Sequence, residues 1–215
     1  MKLVLNDEIH FLRNQPGRIL YGFLGPVAIV SDHDRGNCSY DLRHIFNLSF
    51  VASSPKFAGR WTNRLLGNWQ LAPIVAVHSG EWYGTSMGGI DNSLTANGLD
   101  RPNVVSGVNP YVRNMNTLQW LGPAAFVPNA IGTFGNAGQA ALVGPRYFDV
   151  DASLSRYFNV PRHENHRVEL RFEFFNLFNH ANFATPDPSL PDSTFGLIQS
   201  ASDPRILEFA VKYTF

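Results

Sequence analysis

From Arg167 the chain reads "RVELRFEF", with Val168, Leu170, Phe172 and Phe174 on one side and Arg167, Glu169, Arg171 and Glu173 on the other. An apolar residue at every second position predicts a strand, because successive strand side chains point to opposite faces. The segment before it, "YFDVDASLSRYFNV", behaves alike: Phe148, Val150, Ala152, Leu154 and Phe158 alternate with Asp149, Asp151, Ser153, Ser155 and Asn159. "PRHENH" between the two reads as a short turn. The chain end "RILEFAVKYTF" sets Leu207, Phe209, Val211, Tyr213 and Phe215 against Glu208, Lys212 and Thr214. Two earlier segments alternate less cleanly, "DLRHIFNLSFVA" (41–52) and "NWQLAPIVAVHS" (68–79), the second carrying Pro73, which weakens a central strand. A further candidate strand is "GRILYGFLGPVAIV" (17–30). In "RFEFFNLFNHANF" (171–183) the alternation breaks at Phe174-Phe175, so Asn176, Asn179 and Asn182 belong to the chain leaving the strand rather than to a helical face.

The connections between these strands alternate in length. Counted back from the C-terminus they are long (179–204), short (161–166), long (80–145) and short (53–67). Outer-membrane barrels have long loops outside and short periplasmic turns, with strands of about 9–11 residues crossing the bilayer. The 80–145 connection, rich in Gly, Asn and Pro, is expected to be loop and to be the likeliest ligand-facing part. The fold class expected is all-β: an antiparallel transmembrane β-barrel segment of five or six strands, an incomplete barrel with long extracellular loops.

Alternation alone also fits a soluble sheet wet on one side, so a soluble β-sandwich binding module of carbohydrate-binding type is the alternative. The identity of the faces favours lipid. Phe148, Val150, Leu154, Val168, Leu170, Phe172 and Phe174 are expected to face lipid, and Asp149, Asp151, Ser153, Arg167, Glu169, Arg171, Glu173, Glu208 and Lys212 a wet lumen. Tyr147, Tyr157, Phe158, Tyr213 and Phe215 lie towards strand ends, where an aromatic girdle is expected.

Composition agrees and adds exclusions. Charged residues make up 16% of the 215 residues, against roughly 25% in ordinary soluble domains. Seventeen acidic and seventeen basic residues leave no net charge, which argues against nucleic acid or an acidic membrane surface as the main partner. Cys38 is the only cysteine, so no internal disulfide and no cysteine-based zinc site can form. At the N-terminus Asp7, Glu8 and Arg13 interrupt what a secretory signal needs as its apolar core, so no signal peptide is expected. His163 and His166 around Glu164 are not spaced as H-E-x-x-H and sit in a turn. No nucleophile elbow, phosphate loop or acid–base pair stands out from its strand periodicity. Neither catalysis nor a cofactor is expected.

Five stretches in order, "YDLRHIFNLSF", "LLGNWQLAPIVAVHSG", "GTFGNAGQAALVGPRYFDVDASLSRYF", "LRFEFFNLFNHANFATP" and "FGLIQSASDPRILEFAVKYTF", resemble the C-terminal barrel end of the Oar-like TonB-dependent receptors. The resemblance covers residues 39–215 and leaves 1–38 as a poorly matched segment with room for one strand. It implies energised substrate uptake or surface binding at the bacterial outer membrane, through a barrel of about 22 strands. The alternating end Leu207, Phe209, Val211, Tyr213 and Phe215 is similar to the signal such proteins present to the barrel assembly machinery. The family's plug and remaining strands would precede residue 1, so the chain alone is expected to be a fragment that does not transport, its ligand unidentified. Outer-membrane lipid, the assembly machinery and the rest of a receptor are the partners implied.

Overall fold

A computed structural model describes residues 2–6, 36–160 and 166–215 of the chain. Six strands form one antiparallel sheet: β1 (Lys2–Asn6), β2 (Ile45–Ser53), β3 (Trp69–His78), β10 (Tyr147–Asn159), β11 (Arg167–Phe175) and β12 (Ile206–Thr214), in that spatial order. Five of the six are the segments read from alternation or its weaker form. The sixth, β1, falls within the poorly matched N-terminal segment; the expected strand over 17–30 lies outside the described residues.

Register settles which side chains share a face, because directly opposed residues in an antiparallel pair point the same way. Leu154 opposes Leu71 and Phe172, and Phe172 opposes Phe209. Val168 opposes Tyr213, and Leu170 opposes Val211. On the other face Ser153 opposes Glu173, which opposes Glu208, and Glu169 opposes Lys212. All seven residues grouped as apolar thus lie on one face and all nine grouped as polar on the other. Two of the girdle expectations need correction: Tyr147 opposes His78 and Tyr157 opposes Glu169, which puts both on the polar face. Their phenol ends suit that side, since Tyr147 stacks on His78 at 4.7 Å and the Tyr157 hydroxyl donates to Gln70 Oε1 at 3.1 Å.

Pro73 occupies a central strand after all. The β2–β3 ladder runs from Ile45–His78 to Ser49–Ile74, skips the positions around Pro73, and resumes at Ala52–Leu71. Proline has no N–H to donate, and the pairing gap falls beside it.

The long connections are not loose. Residues 80–145 carry β4 (Trp82–Tyr83), β5 (Asn103–Val104), β6 (Tyr111–Asn114), β7 (Gln119–Leu121), β8 (Phe126–Val127) and β9 (Leu142–Val143), paired as β4–β9, β5–β8 and β6–β7. Tyr83, Leu121, Ala125, Phe126 and Leu142 from this stretch bury themselves with Phe195 of the next long connection. The Trp120 and Ile198 amides donate to Gly196 O and Leu118 O at 2.8 and 2.9 Å, and the Ser86 amide donates to Pro188 O at 2.9 Å. Gly196 is required where it stands, with φ of 73° and space for a Cβ only 2.8 Å from Leu121. The two connections expected as separate loops are therefore one cap with its own core. Among the described residues no second sheet covers the apolar face of the wall, as a sandwich requires.

Candidate functional site

The cap joins the wall through the asparagines of "NLFNHANF". β11 stops pairing with β10 at Phe174–Ala152, which leaves the first residues of β10 with a bare edge on that side. The chain turns at Asn176 and Asn179, both with positive φ (49° and 52°), a conformation asparagine tolerates better than most residues. It then continues the ladder by other means. The Asn176 amide donates to Asp151 Oδ1 at 2.9 Å and the Leu177 amide to Val150 O at 2.7 Å. The Asn182 side chain imitates a strand, accepting from the Phe148 amide at 2.8 Å and donating to the Phe148 carbonyl at 2.9 Å. Asn176 Oδ1 accepts from the His180 amide at 2.8 Å, and Asn179 Oδ1 from the Arg205 amide, just before β12, at 3.0 Å. The three-residue spacing marks three separate caps on neighbouring backbone.

Above this junction lies a cleft of about 580 Å³ between the β6–β7 hairpin, the start of β10 and the His180 segment. Tyr111 and Trp120 form its wall, fixed from behind: the Tyr111 hydroxyl accepts from the Val143 amide at 2.8 Å, and Trp120 Nε1 donates to Val143 O at 3.0 Å. Arg113 lies over both rings, 4.5 Å from the Tyr111 centroid and 5.3 Å from that of Trp120. Arg146 and His180 complete the lining, and no acidic residue lines it. Behind it burial pushes the Tyr83 phenol well above its ordinary value, with Tyr111 adding and Arg113 opposing. The arrangement offers an aromatic platform beside cationic groups, a combination suited to binding.

A polar knot holds the far side of the cap. The buried Asp100 accepts from the Ser93 amide at 2.7 Å and from Asn129 Nδ2 at 3.1 Å, and Asn129 also donates to Thr133 O at 2.7 Å. Burial works against ionisation of Asp100, but these donors outweigh it and hold the carboxyl below its ordinary value. Among the described residues no group of three or more His, Cys, Asp or Glu is placed to hold a metal ion; His163 and Glu164 lie outside them.

Alternation along the chain gives the two faces of the wall but not the cleft. Tyr111, Arg113, Trp120 and His180 come from aperiodic stretches that the fold brings together. Nor does alternation single out Arg156, which the Arg156–Trp69 pairing puts on the otherwise apolar face. The terminal group Leu207, Phe209, Val211 and Tyr213 lies on β12, the sheet's outer strand, exposed throughout, and Phe215 stacks on Tyr213 at 6.0 Å.

Residues 21–208 match the family described as "Outer membrane beta barrel domain". No curated protein and no solved structure matches the chain.

Proposed function

The chain belongs to the outer membrane beta barrel domain family and is placed in the bacterial outer membrane, and on that premise we propose that it forms the C-terminal wall of a larger TonB-dependent, Oar-like receptor that takes up or binds a substrate at the cell surface. In this reading Phe148, Val150, Leu154, Val168, Leu170, Phe172 and Phe174 face lipid. Asp149, Asp151, Ser153, Arg167, Glu169, Arg171, Glu173, Glu208 and Lys212 line a wet interior. The cap sits outside, with the Tyr111–Trp120–Arg113 cleft as the ligand-facing part. The chain's role is binding, not catalysis.

The observation that carries the reading is an open wall bearing a folded cap. The six strands of the described residues do not close among themselves, since the smallest single-chain barrels have eight, and the bare edge of β12 leaves unpaired backbone groups costing several kcal/mol apiece in lipid. Exposed β12, with Phe215 after it, is the edge that the assembly machinery or the first strand of a whole barrel would pair with. The soluble sandwich is set aside, because the family is a membrane one and the apolar face has no covering sheet among the described residues.

Exporting the chain behind a signal peptide and running outer-membrane fractions with and without boiling tests the reading. We expect no heat-shifted band from the chain alone. A compact band that shifts on boiling would mean a closed barrel and would overturn it.

A further inference from the structure

The helix α1 (Arg60–Leu66) lies in the short connection between β2 and β3. Its sequence "RWTNRLL" contains good helix formers, and it ends where Gly67 and the left-handed Asn68 (φ 62°) turn the chain into β3. The seven residues bury none of their side chains: Trp61 is 73% exposed, Leu65 64% and Leu66 55%. Trp61 and Leu65, four apart, share one side of the helix, and Arg60 and Arg64 form a second stripe beside them.

Two side chains of the wall fix where this helix sits. Trp69 Nε1 donates to Leu65 O at 2.9 Å, and Arg156 donates to Arg64 O. Trp69 and Arg156 oppose each other on the apolar face. The carbonyl end of α1 is thus held from the apolar side of the sheet, at the rim of short turns, and not over the polar face. Arg156, the one cation on that face among the described residues, keeps its guanidinium 5.0 Å from the Trp69 ring and 4.8 Å from Phe158, as a long cationic side chain does at a membrane boundary.

Charge points the same way. From Leu42 to Gly80 the chain carries Arg43, Lys56, Arg60 and Arg64 and no acidic residue, although the whole chain is neutral. Among the described residues Arg60 and Arg64 have no ion-pair partner. A short helix with Trp and Leu in one stripe, arginines in the stripe beside it, and an attachment to the apolar face of a wall has the composition of an element lying in the interface plane.

We propose that α1 is a membrane-seated foot: Trp61, Leu65 and Leu66 enter the headgroup–acyl boundary of the leaflet at the short-turn rim, while Arg60 and Arg64 bind anionic phospholipid headgroups there. The foot anchors the short-turn end of the wall at a set depth and makes its seating depend on anionic lipid. The proposal rests on the apolar face being the lipid face.

Spin labels test it in the whole chain, on a Cys38→Ser background, with Leu65→Cys in the foot, Phe209→Cys on the wall and Ser106→Cys in the cap. The chain is reconstituted in phosphatidylethanolamine vesicles with and without phosphatidylglycerol, and each label is read for collision with oxygen and with a water-soluble nickel chelate. The labels at 65 and 209 should favour oxygen and the label at 106 nickel. Omitting phosphatidylglycerol, or adding Arg60→Gln and Arg64→Gln, should shift the label at 65 from its buried towards its water-exposed spectral component, on the order of fivefold per arginine removed, and leave 209 unmoved. A label at 65 as nickel-accessible as the one at 106, with 209 still in lipid, overturns the foot. Burial at 65 that ignores phosphatidylglycerol overturns the headgroup contact, and a label at 209 in water overturns the lipid face and the foot together. Trp61→Cys repeats the reading at a second foot position.

Discussion

Phe172 and Phe209 meet across β11 and β12 with ring centroids 5.0 Å apart, and Phe126 and Phe195 meet in the cap at 5.4 Å. The contacts are alike and the surroundings opposite. Phe209 is 59% exposed, while Phe126 and Phe195 are 5% and 4% exposed. The cap hides its rings from water in a core, as a soluble domain does. The wall displays Leu207, Phe209, Val211 and Tyr213 along an exposed face, covered at its cap end where Phe148 meets Phe178 and His180 and Val150 is buried, and in water this would be an aggregation-prone patch. In the proposed reading one chain carries elements built for two solvents, and the asparagine caps at Asn176, Asn179 and Asn182 stand at the border between them.

This contrast can be broken from either side. The largest effect expected is from Phe209→Arg, which puts a charge on the face assigned to lipid, at about 2–4 kcal/mol near the bilayer midplane, besides the lost ring contact. Outer-membrane recovery of the protein carrying it should collapse, while Glu208→Arg, on the opposite face of the same strand, should be tolerated. Equal loss from both would remove the distinction between the faces.

In the cap, Leu121→Ala deletes a side chain with no exposure and should cost about 2–5 kcal/mol locally. Hydrogen exchange should then speed up across 80–145 and 184–198 and stay slow in β10 and β11. Loosening of both regions together would mean that they share one cooperative core.

Asn182→Ala severs the two hydrogen bonds to Phe148 and exposes a β10 edge, at roughly 1–3 kcal/mol for the orphaned backbone groups. Exchange at the Phe148 amide should rise, with the cap core itself unchanged.

The smallest effect is that of acid. The Asp100 carboxyl sits below its ordinary value of 3.8, so its contribution to cap stability is complete above about pH 4 and is lost as pH falls through the lower native value. Protease resistance of the cap should fall in that range and not at neutral pH, and Asp100→Asn should flatten the dependence.

The wall was legible in the sequence because a strand wet on one side and apolar on the other repeats every two residues. The bounds of β10, β11 and β12 lie within a residue or so of the alternating segments. The cap was not legible because its core has no period. Leu121 and Phe195 are separated by a long stretch of chain, and the turns that join them depend on single residues such as Gly196. Tyr147 and Tyr157 were misplaced for a related reason: an aromatic near a strand end suits a girdle by composition, but register decides its face, and theirs is polar. Pro73 argued against a central strand, yet the sheet accommodates it with a local gap in one ladder. The asparagine spacing was visible without its meaning, since the partners Phe148, Asp151 and Arg205 lie on other segments. The cleft was beyond reach for the same reason.

Photolabelling from the acyl chains tests the two-solvent account most directly. The protein would be reconstituted with a lipid bearing a carbene precursor near its chain end, irradiated, digested and mapped by mass spectrometry. The account expects adducts on Phe172, Phe174, Phe209 and Val211, and none on Glu169, Arg171 or Lys212 of the same strands, nor on Phe126 and Phe195 in the cap. Adducts on both faces of β11 and β12, or on the cap phenylalanines in place of those of the wall, would contradict it.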